Sequence, residues 1–114
     1  MNDCIFCKIA RGEIPSDKIY EDDLVVAFND LHPQAPVHVL IVPKEHFSGL
    51  NETGNMSEEL LTRLLRTAAL VARKLELDKS GYRIVSNCGP DACQSVEHLH
   101  IHLLGGTKLS EHMA

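Results

Sequence analysis

Residues 96–104 read Val96-Glu97-His98-Leu99-His100-Ile101-His102-Leu103-Leu104, a period-two alternation that stops at Gly105-Gly106. Successive side chains of a β-strand point to opposite faces. The segment therefore predicts a strand with His98, His100 and His102 on one face and Leu99, Ile101 and Leu103 on the other. The apolar face belongs against a core, which leaves three imidazoles lining one wall of a site. A single histidine there would be ordinary solvated surface; three in register within an apolar strand point to chemistry.

Neighbouring same-face residues of a strand are ~6.6 Å apart, so His98 and His102 would stand ~13 Å apart, whereas zinc–nitrogen bonds are only ~2.1 Å long. One metal ion cannot hold both ends of the row. A neighbouring pair could share one, leaving the third ring for other work.

The remaining pattern frames this strand. Residues 20–29 and 36–43 are rich in Val, Leu, Ile and Phe on either side of a turn-prone stretch, and predict two hairpin strands joined by a longer loop. Between residues 57 and 77, Leu60, Leu61, Leu64, Leu65, Ala68, Val71, Ala72 and Leu75 recur at helical spacing, with Arg63, Arg66, Arg73 and Lys74 between them. That predicts the main helix, with Asn55 and Glu58 suited to cap its start and Ser80-Gly81 to stop it. Residues 82–87 predict a further strand and Gly89-Pro90-Asp91 a turn. Strands, helix, strands, without long crossovers, favour an antiparallel α+β sheet over a parallel one. At 114 residues, one domain spanning 1–114 is expected.

Composition narrows the function classes. The formal charge is −5 and the eleven Lys and Arg residues are scattered, which excludes a broad nucleic-acid footprint and leaves room for a single nucleotide. The opening residues carry no basic stretch followed by an apolar one, and no apolar run approaches the roughly 20 residues that span a bilayer, so a cytoplasmic protein without membrane contact is expected. Cys4, Cys7, Cys88 and Cys93 are too few for a disulfide scaffold; reduced thiols or metal ligands are the expectation.

The run His98-Leu99-His100-Ile101-His102-Leu103-Leu104 resembles the His-x-His-x-His-x-x signature, with x apolar, of the histidine-triad superfamily. Gly105-Gly106 resembles its nucleotide-binding, phosphoramidase-like branch, since the dinucleoside polyphosphate hydrolase branch usually carries Pro-Arg there. The likeness extends over Cys4-Ile5-Phe6-Cys7-Lys8-Ile9, Ile14-Pro15, Phe28-Asn29-Asp30, Pro33-Gln34-Ala35-Pro36-Val37-His38, Pro43-Lys44-Glu45-His46, Asn87 and Gln94-Ser95.

The resemblance implies an antiparallel sheet of about five strands with one main helix and a short N-terminal helix. It implies hydrolysis of a purine nucleoside 5′-phosphoramidate through a nucleotidyl-histidine intermediate, with His100 as nucleophile. Imidazole, with an ordinary pKa of about 6.5, needs no strong base to attack phosphorus near neutrality. His102 falls where the family contacts the α-phosphate, and Ser95 where it offers a hydroxyl to phosphate oxygen or the leaving nitrogen; such donors hold developing charge. Asn87 matches another polar position on the phosphate side. Asp30 matches the carboxylate that accepts from the ribose hydroxyls, although an aspartate there also suits an Asx turn. Ile5, Phe6, Ile9, Phe28 and Leu31 match or flank the apolar slot for the purine, and core packing would explain them equally well.

Cys4-x-x-Cys7 alone suits a metal knuckle or a redox pair. The resemblance implies a structural zinc ion held by Cys4, Cys7, His46 and His98, a closed set of four ligands that would not activate water. His98 would thus aim the segment that carries His100. The resemblance also implies a homodimer with two sheets joined edge to edge, burying an exposed strand edge. His38 is a further family position, suited to orient a neighbouring group or to pack as a bonded histidine; His32 and His112 read as surface, and Cys88 has no assigned role. One departure stands out: the family usually has glycine before Gln-Ser, where this chain has Cys93. A positive φ there would strain a residue with a Cβ. The competing readings are a regulatory module that binds nucleotide with little turnover, and a dinucleoside polyphosphate hydrolase or nucleotidyl transferase.

Overall fold

The structure, a computed structural model, describes residues 4–113. Strands β1 (Lys18–Glu21), β2 (Val25–Asn29), β3 (Val37–Pro43), β4 (Tyr82–Val85) and β5 (Ile101–Gly105) form one sheet in the order β1-β2-β3-β5-β4. Every neighbouring pair is antiparallel. Helix α1 (Ile5–Ala10) and helix α2 (Glu58–Lys74) complete the α+β fold, with short 3-10 turns at Leu50–Asn55 and Pro90–Ala92.

Both sheet faces are covered, which is why β2 and β3 are apolar almost throughout. On one face Leu60, Leu64, Ala68, Val71 and Ala72 of α2 pack on Val25, Ala27, Val39, Ile41, Leu99, Ile101 and Leu103. Truncating a fully buried leucine in such a core costs about 2–5 kcal/mol. On the other face Phe6, Ile9 and Ala10 of α1 meet Val26, Phe28, Leu40 and Val42. That second, smaller core leaves the histidine side of β3 and β5 open, and this opening positions the site.

The structure corrects several boundaries. Residues 20–29 are not one strand: Asp22 breaks the run, its Oδ1 accepting from the backbone N–H groups of Leu24 and Val25, and the chain folds back as a β1–β2 hairpin. Helix α2 is capped by Ser57, whose Oγ accepts from Leu60 N–H at 3.1 Å, and not by Asn55, which ends the preceding 3-10 turn. It ends at Lys74, well before Ser80-Gly81. Glu76 takes φ +62°, its N–H donates to Arg73 O, and Leu77 N–H donates to Ala72 O while its side chain is buried. This is a Schellman cap built without glycine. Strand β4 closes at Val85 rather than Asn87.

Strand β5 begins at Ile101, so His98 and His100 precede the ladder that residues 96–104 were expected to form. The β3–β5 register pairs Ile41 with Ile101. Continuing it would set Leu99 opposite Pro43, which has no N–H to offer, and Leu99 N–H instead donates to Phe47 O at 2.6 Å. The alternation survives the loss of pairing, since Leu99, Ile101 and Leu103 all enter the α2 core.

Candidate functional site

A cleft of about 310 Å³ opens between α1, the ends of β2 and β3, and the histidine segment. Its floor is apolar: Phe6 meets Phe28 edge to face at 5.7 Å and His100 at 5.1 Å. His100 and His102 line one end.

Backbone partners decide the tautomer of each ring, because a carbonyl only accepts and an N–H only donates. His100 Nδ1 lies 2.7 Å from His98 O, so Nδ1 carries the proton and Nε2 of the neutral ring keeps its lone pair. Ser86 Oγ in turn donates to His100 O at 3.0 Å. Gln34 N–H donates to His38 Nδ1 at 2.9 Å, which puts the proton of neutral His38 on Nε2. That proton is donated to His102 Nδ1 at 2.9 Å, and neutral His102 must then carry its own on Nε2. The register explains the meeting. His38 pairs with Leu104 and Leu40 with His102, so His38 and His102 are diagonal neighbours on one sheet face.

Burial pushes His102 down to about 4; the nearby His100 and His38 rings push the same way, and Asp30 opposes them. Burial lowers His38 too, against the pull of Asp30. Both rings are therefore neutral at pH 7. Asp30 Oδ2 stands 3.4 Å from His38 Nε2, and Oδ1 accepts from His32 N–H at 2.8 Å. The Asx turn is thus present, and Asp30 lines the cleft as well.

Beside the cleft, Cys4, Cys7, His46 and His98 bring four ligand atoms within 4.8 Å of one another. Cys7 Sγ lies 3.2 Å from His46 Nδ1 and 3.4 Å from His98 Nδ1; Cys4 Sγ lies 3.4 Å from His98 Nδ1, and the two Nδ1 atoms are 3.2 Å apart. A tetrahedron with Zn–N near 2.1 Å and Zn–S near 2.3 Å has edges of roughly 3.4–3.7 Å, so the four atoms fit one slightly contracted shell. His98 is wholly buried, and its Nε2–H donates to Pro43 O at 2.8 Å, which turns the Nδ1 lone pair toward the cluster. Burial holds His98 down at about 4, relieved in part by that carbonyl and reinforced by His46 and His100. The ring is therefore neutral at pH 7 and offers Nδ1 as a lone-pair donor. Asp30, His38 and His102 also lie within 4.8 Å of one another, and hydrogen bonds already account for that grouping.

Of the residues singled out from the sequence, Ile5, Phe6, Ile9, Phe28, Asp30, Leu31, Ser95, His100 and His102 all line the cleft. Asn87 does not. Its Nδ2 donates to Ala92 O at 2.8 Å and ties the turn that leads to Ser95. Cys93 takes φ +59°, ψ +40°, the left-handed conformation that a glycine would adopt without strain. His32, read as surface, also lines the cleft, as do Ser16, Asp17 and Asn29. Nothing in the local pattern marks these, because their place depends on the β1–β2 hairpin and on the connection from β2 to β3. Gln94 is a second omission: its amide donates to Ser48 O and Val96 O and accepts from Gly89 N–H, joining the serine loop to the segment that carries His46.

An antiparallel α+β sheet carrying His98, His100 and His102 on one segment, with His100 and His102 lining an apolar cleft, defines a histidine-triad protein. The chain belongs to the HIT domain family, whose model matches residues 11–109. It is 50% identical over 110 residues to the 14 kDa zinc-binding protein of Brassica juncea, covering 95% of this chain and 96% of that protein. It is 44% identical over 110 residues to the purine nucleoside phosphoramidase of Escherichia coli K12, covering 96% and 92%. With the adenylylsulfatase HINT1 of Arabidopsis thaliana it shares 48% identity over 108 residues, covering 93% and 73%. A histidine-triad protein from Clostridium difficile superposes with a TM-score of 0.93 at 46% identity, covering 98% of this chain and 97% of that one. Among the described residues no helix is long and apolar enough to cross a membrane.

Proposed function

We propose that this chain is a cytoplasmic, homodimeric hydrolase of purine nucleoside 5′-phosphoramidates that works through a nucleotidyl-histidine intermediate. The observation that carries the reading is the His100–His98 hydrogen bond, which leaves His100 Nε2 as a bare nucleophile in a cleft with an apolar slot and a carboxylate. In the first step Nε2 bonds to the α-phosphorus and the phosphorus–nitrogen bond breaks. The leaving nitrogen departs as an amine, taking a proton that water passes through the Ser95 hydroxyl. In the second step water attacks the phosphorus as its bond to Nε2 breaks, the proton it sheds replaces the one passed to the amine in the first step, the nucleoside monophosphate leaves, and His100 returns to its starting form. His102, neutral and protonated on Nε2 through the His38 relay, donates to the phosphate oxygens throughout. Asp30 accepts from the ribose hydroxyls, while Ile5, Phe6, Ile9, Phe28 and Leu31 enclose the base.

The names of the Escherichia coli and Arabidopsis relatives support a nucleotidyl group as the part recognised, with nitrogen or a mixed anhydride oxygen as the part expelled. The Cys4, Cys7, His46 and His98 cluster suits zinc, and the name of the Brassica relative supports that metal. When bound, the ion supplies structure only, since four protein ligands leave no position for water. The edge strand β4 exposes Tyr82 and Ile84, the surface on which a second copy would extend the sheet.

Comparison of kcat/KM for adenosine 5′-phosphoramidate and a diadenosine polyphosphate tests the reading. A preference for the phosphoramidate by orders of magnitude is expected. A reversed preference assigns the chain to the other branch, and turnover of neither with tight binding of nucleoside monophosphate marks a regulatory module.

A further inference from the structure

The cleft holds one buried hydroxyl that nothing among the described residues satisfies, and beside it an exposed carboxylate with one oxygen turned to no protein donor. Ser16 Oγ is the one buried side-chain oxygen or nitrogen among the described residues with no hydrogen-bond partner. Its neighbour Asp17 is fixed in place: Oδ2 accepts from Asn29 Nδ2 at 2.7 Å, and Asn29 N–H donates to Asp17 O at 3.0 Å. Asp17 Oδ1 takes no hydrogen bond from the described residues. Both residues line the cleft beside Ile14, Pro15, Phe28 and Asn29.

Topology sets these groups opposite the histidines. The triad segment runs into β5, Phe28 lies on β2, and Ser16-Asp17 lead into β1. Three strand steps of about 4.8 Å separate β5 from β1, roughly 14 Å in all. A nucleoside monophosphate lying across the strands, with phosphorus at His100 and sugar at Asp30, brings the edge of its base to Ser16 and Asp17. A buried hydroxyl without a partner is unfavourable, and removing a ligand group that such a site is built to meet weakens binding. Ser16 is held in its rotamer by no hydrogen bond, so turning to another staggered position costs it none.

We propose that the Ser16–Asp17 step reads the edge of the base and selects purines carrying an exocyclic amino group. The amino N–H donates to Asp17 Oδ1, and Ser16 Oγ pairs with an adjacent heteroatom of the ring. Adenine offers such a donor at C6 and guanine at C2, so the apolar slot takes the two rings in different orientations; unsubstituted purine offers none. The assignment rests on the mononucleotide reading above and adds to it the part of the substrate that the far wall recognises.

Calorimetric titration with AMP, GMP and purine riboside 5′-monophosphate tests it. The wild-type chain should bind AMP and GMP about five- to tenfold more tightly than the unsubstituted nucleotide. Asp17→Asn keeps an oxygen for Asn29 and turns an N–H toward the base, so it should erase that preference and leave the unsubstituted nucleotide within about twofold. Ser16→Ala should weaken all heteroatom-bearing bases severalfold while its melting temperature stays level or rises, because an orphaned hydroxyl is lost; a structural serine would lower it. Equal binding of all three nucleotides by the wild type, or uniform losses in Asp17→Asn, overturns the base-edge assignment alone. Failure of the wild type to bind any of the three overturns the mononucleotide reading and this assignment with it.

Discussion

His100 donates its Nδ1–H to the carbonyl oxygen of His98 at 2.7 Å, so the backbone two residues upstream settles which nitrogen of His100 can act as a nucleophile. The same His98 turns its own Nδ1 into the Cys4, Cys7 and His46 cluster and holds Pro43 O with Nε2. The Cys4, Cys7, His46 and His98 cluster and the proposed nucleophile are therefore joined through one residue.

Replacing His100 by Asn should abolish nearly all phosphoramidate hydrolysis while nucleotide affinity stays within about tenfold, or 1.4 kcal/mol, because Asp30 and the apolar slot remain. Ser95→Ala should cost less, since it removes an assisting donor and leaves the bond-forming atom. Rapid-quench trapping with labelled substrate should recover an acid-labile, base-stable phosphorus–nitrogen adduct on His100. Label on another residue, or sustained turnover by the variant, would refute the assignment.

Chain purified without chelator should contain close to one zinc per copy. Cys4→Ala should lower metal content and reduce the melting temperature by on the order of 10 °C, because metal binding contributes folding free energy. Metal-free protein of unchanged melting temperature would show that the cluster is a packed set of thiols and imidazoles.

Cys93 sits at φ +59°, where a Cβ costs roughly 1–2 kcal/mol and glycine costs little beyond chain entropy. Cys93→Gly should stabilise the fold by about 0.5–1 kcal/mol in denaturant titration and preserve or raise turnover. A collapse of activity would reveal work for the thiol itself.

Asp22 should contribute to the acid limb of stability. Burial pushes its carboxyl up, but hydrogen bonds from Leu24 N–H, Tyr20 OH, Val25 N–H and Arg63 outweigh that and set it at about 2. A depressed folded-state value stabilises above the ordinary 3.8, and the contribution fades as pH falls toward 2. Its size is about 2 kcal/mol at neutral pH. Asp22→Asn should lose that amount at pH 7 and show a flatter stability profile between pH 4 and 2, read by urea melts at each pH. An unchanged profile would place the acid sensitivity elsewhere.

The sequence by itself determined the periodic features. Leu99, Ile101 and Leu103 enter the core opposite the histidines because alternation is a property of extended backbone, and it held even where strand pairing failed. The leucine and alanine stripe of α2 met the sheet because a 3.6-residue period turns one side of a helix inward. Family likeness carried the five-strand sheet and the short α1.

Only the tertiary structure decided what depends on partners distant in the chain. Cys4 and His98 are 94 positions apart, and their 3.4 Å contact exists because α1 packs on the histidine side of β3 and β5. The His38–His102 contact follows from the β3–β5 register, and the proton positions follow from carbonyl and amide partners supplied by that register. The split at Asp22 created β1 and with it the Ser16–Asp17 wall of the cleft. Periodicity is local and one-dimensional; ligand sets, tautomers and cleft walls are made by strand order and register, which bring together residues that share no local pattern.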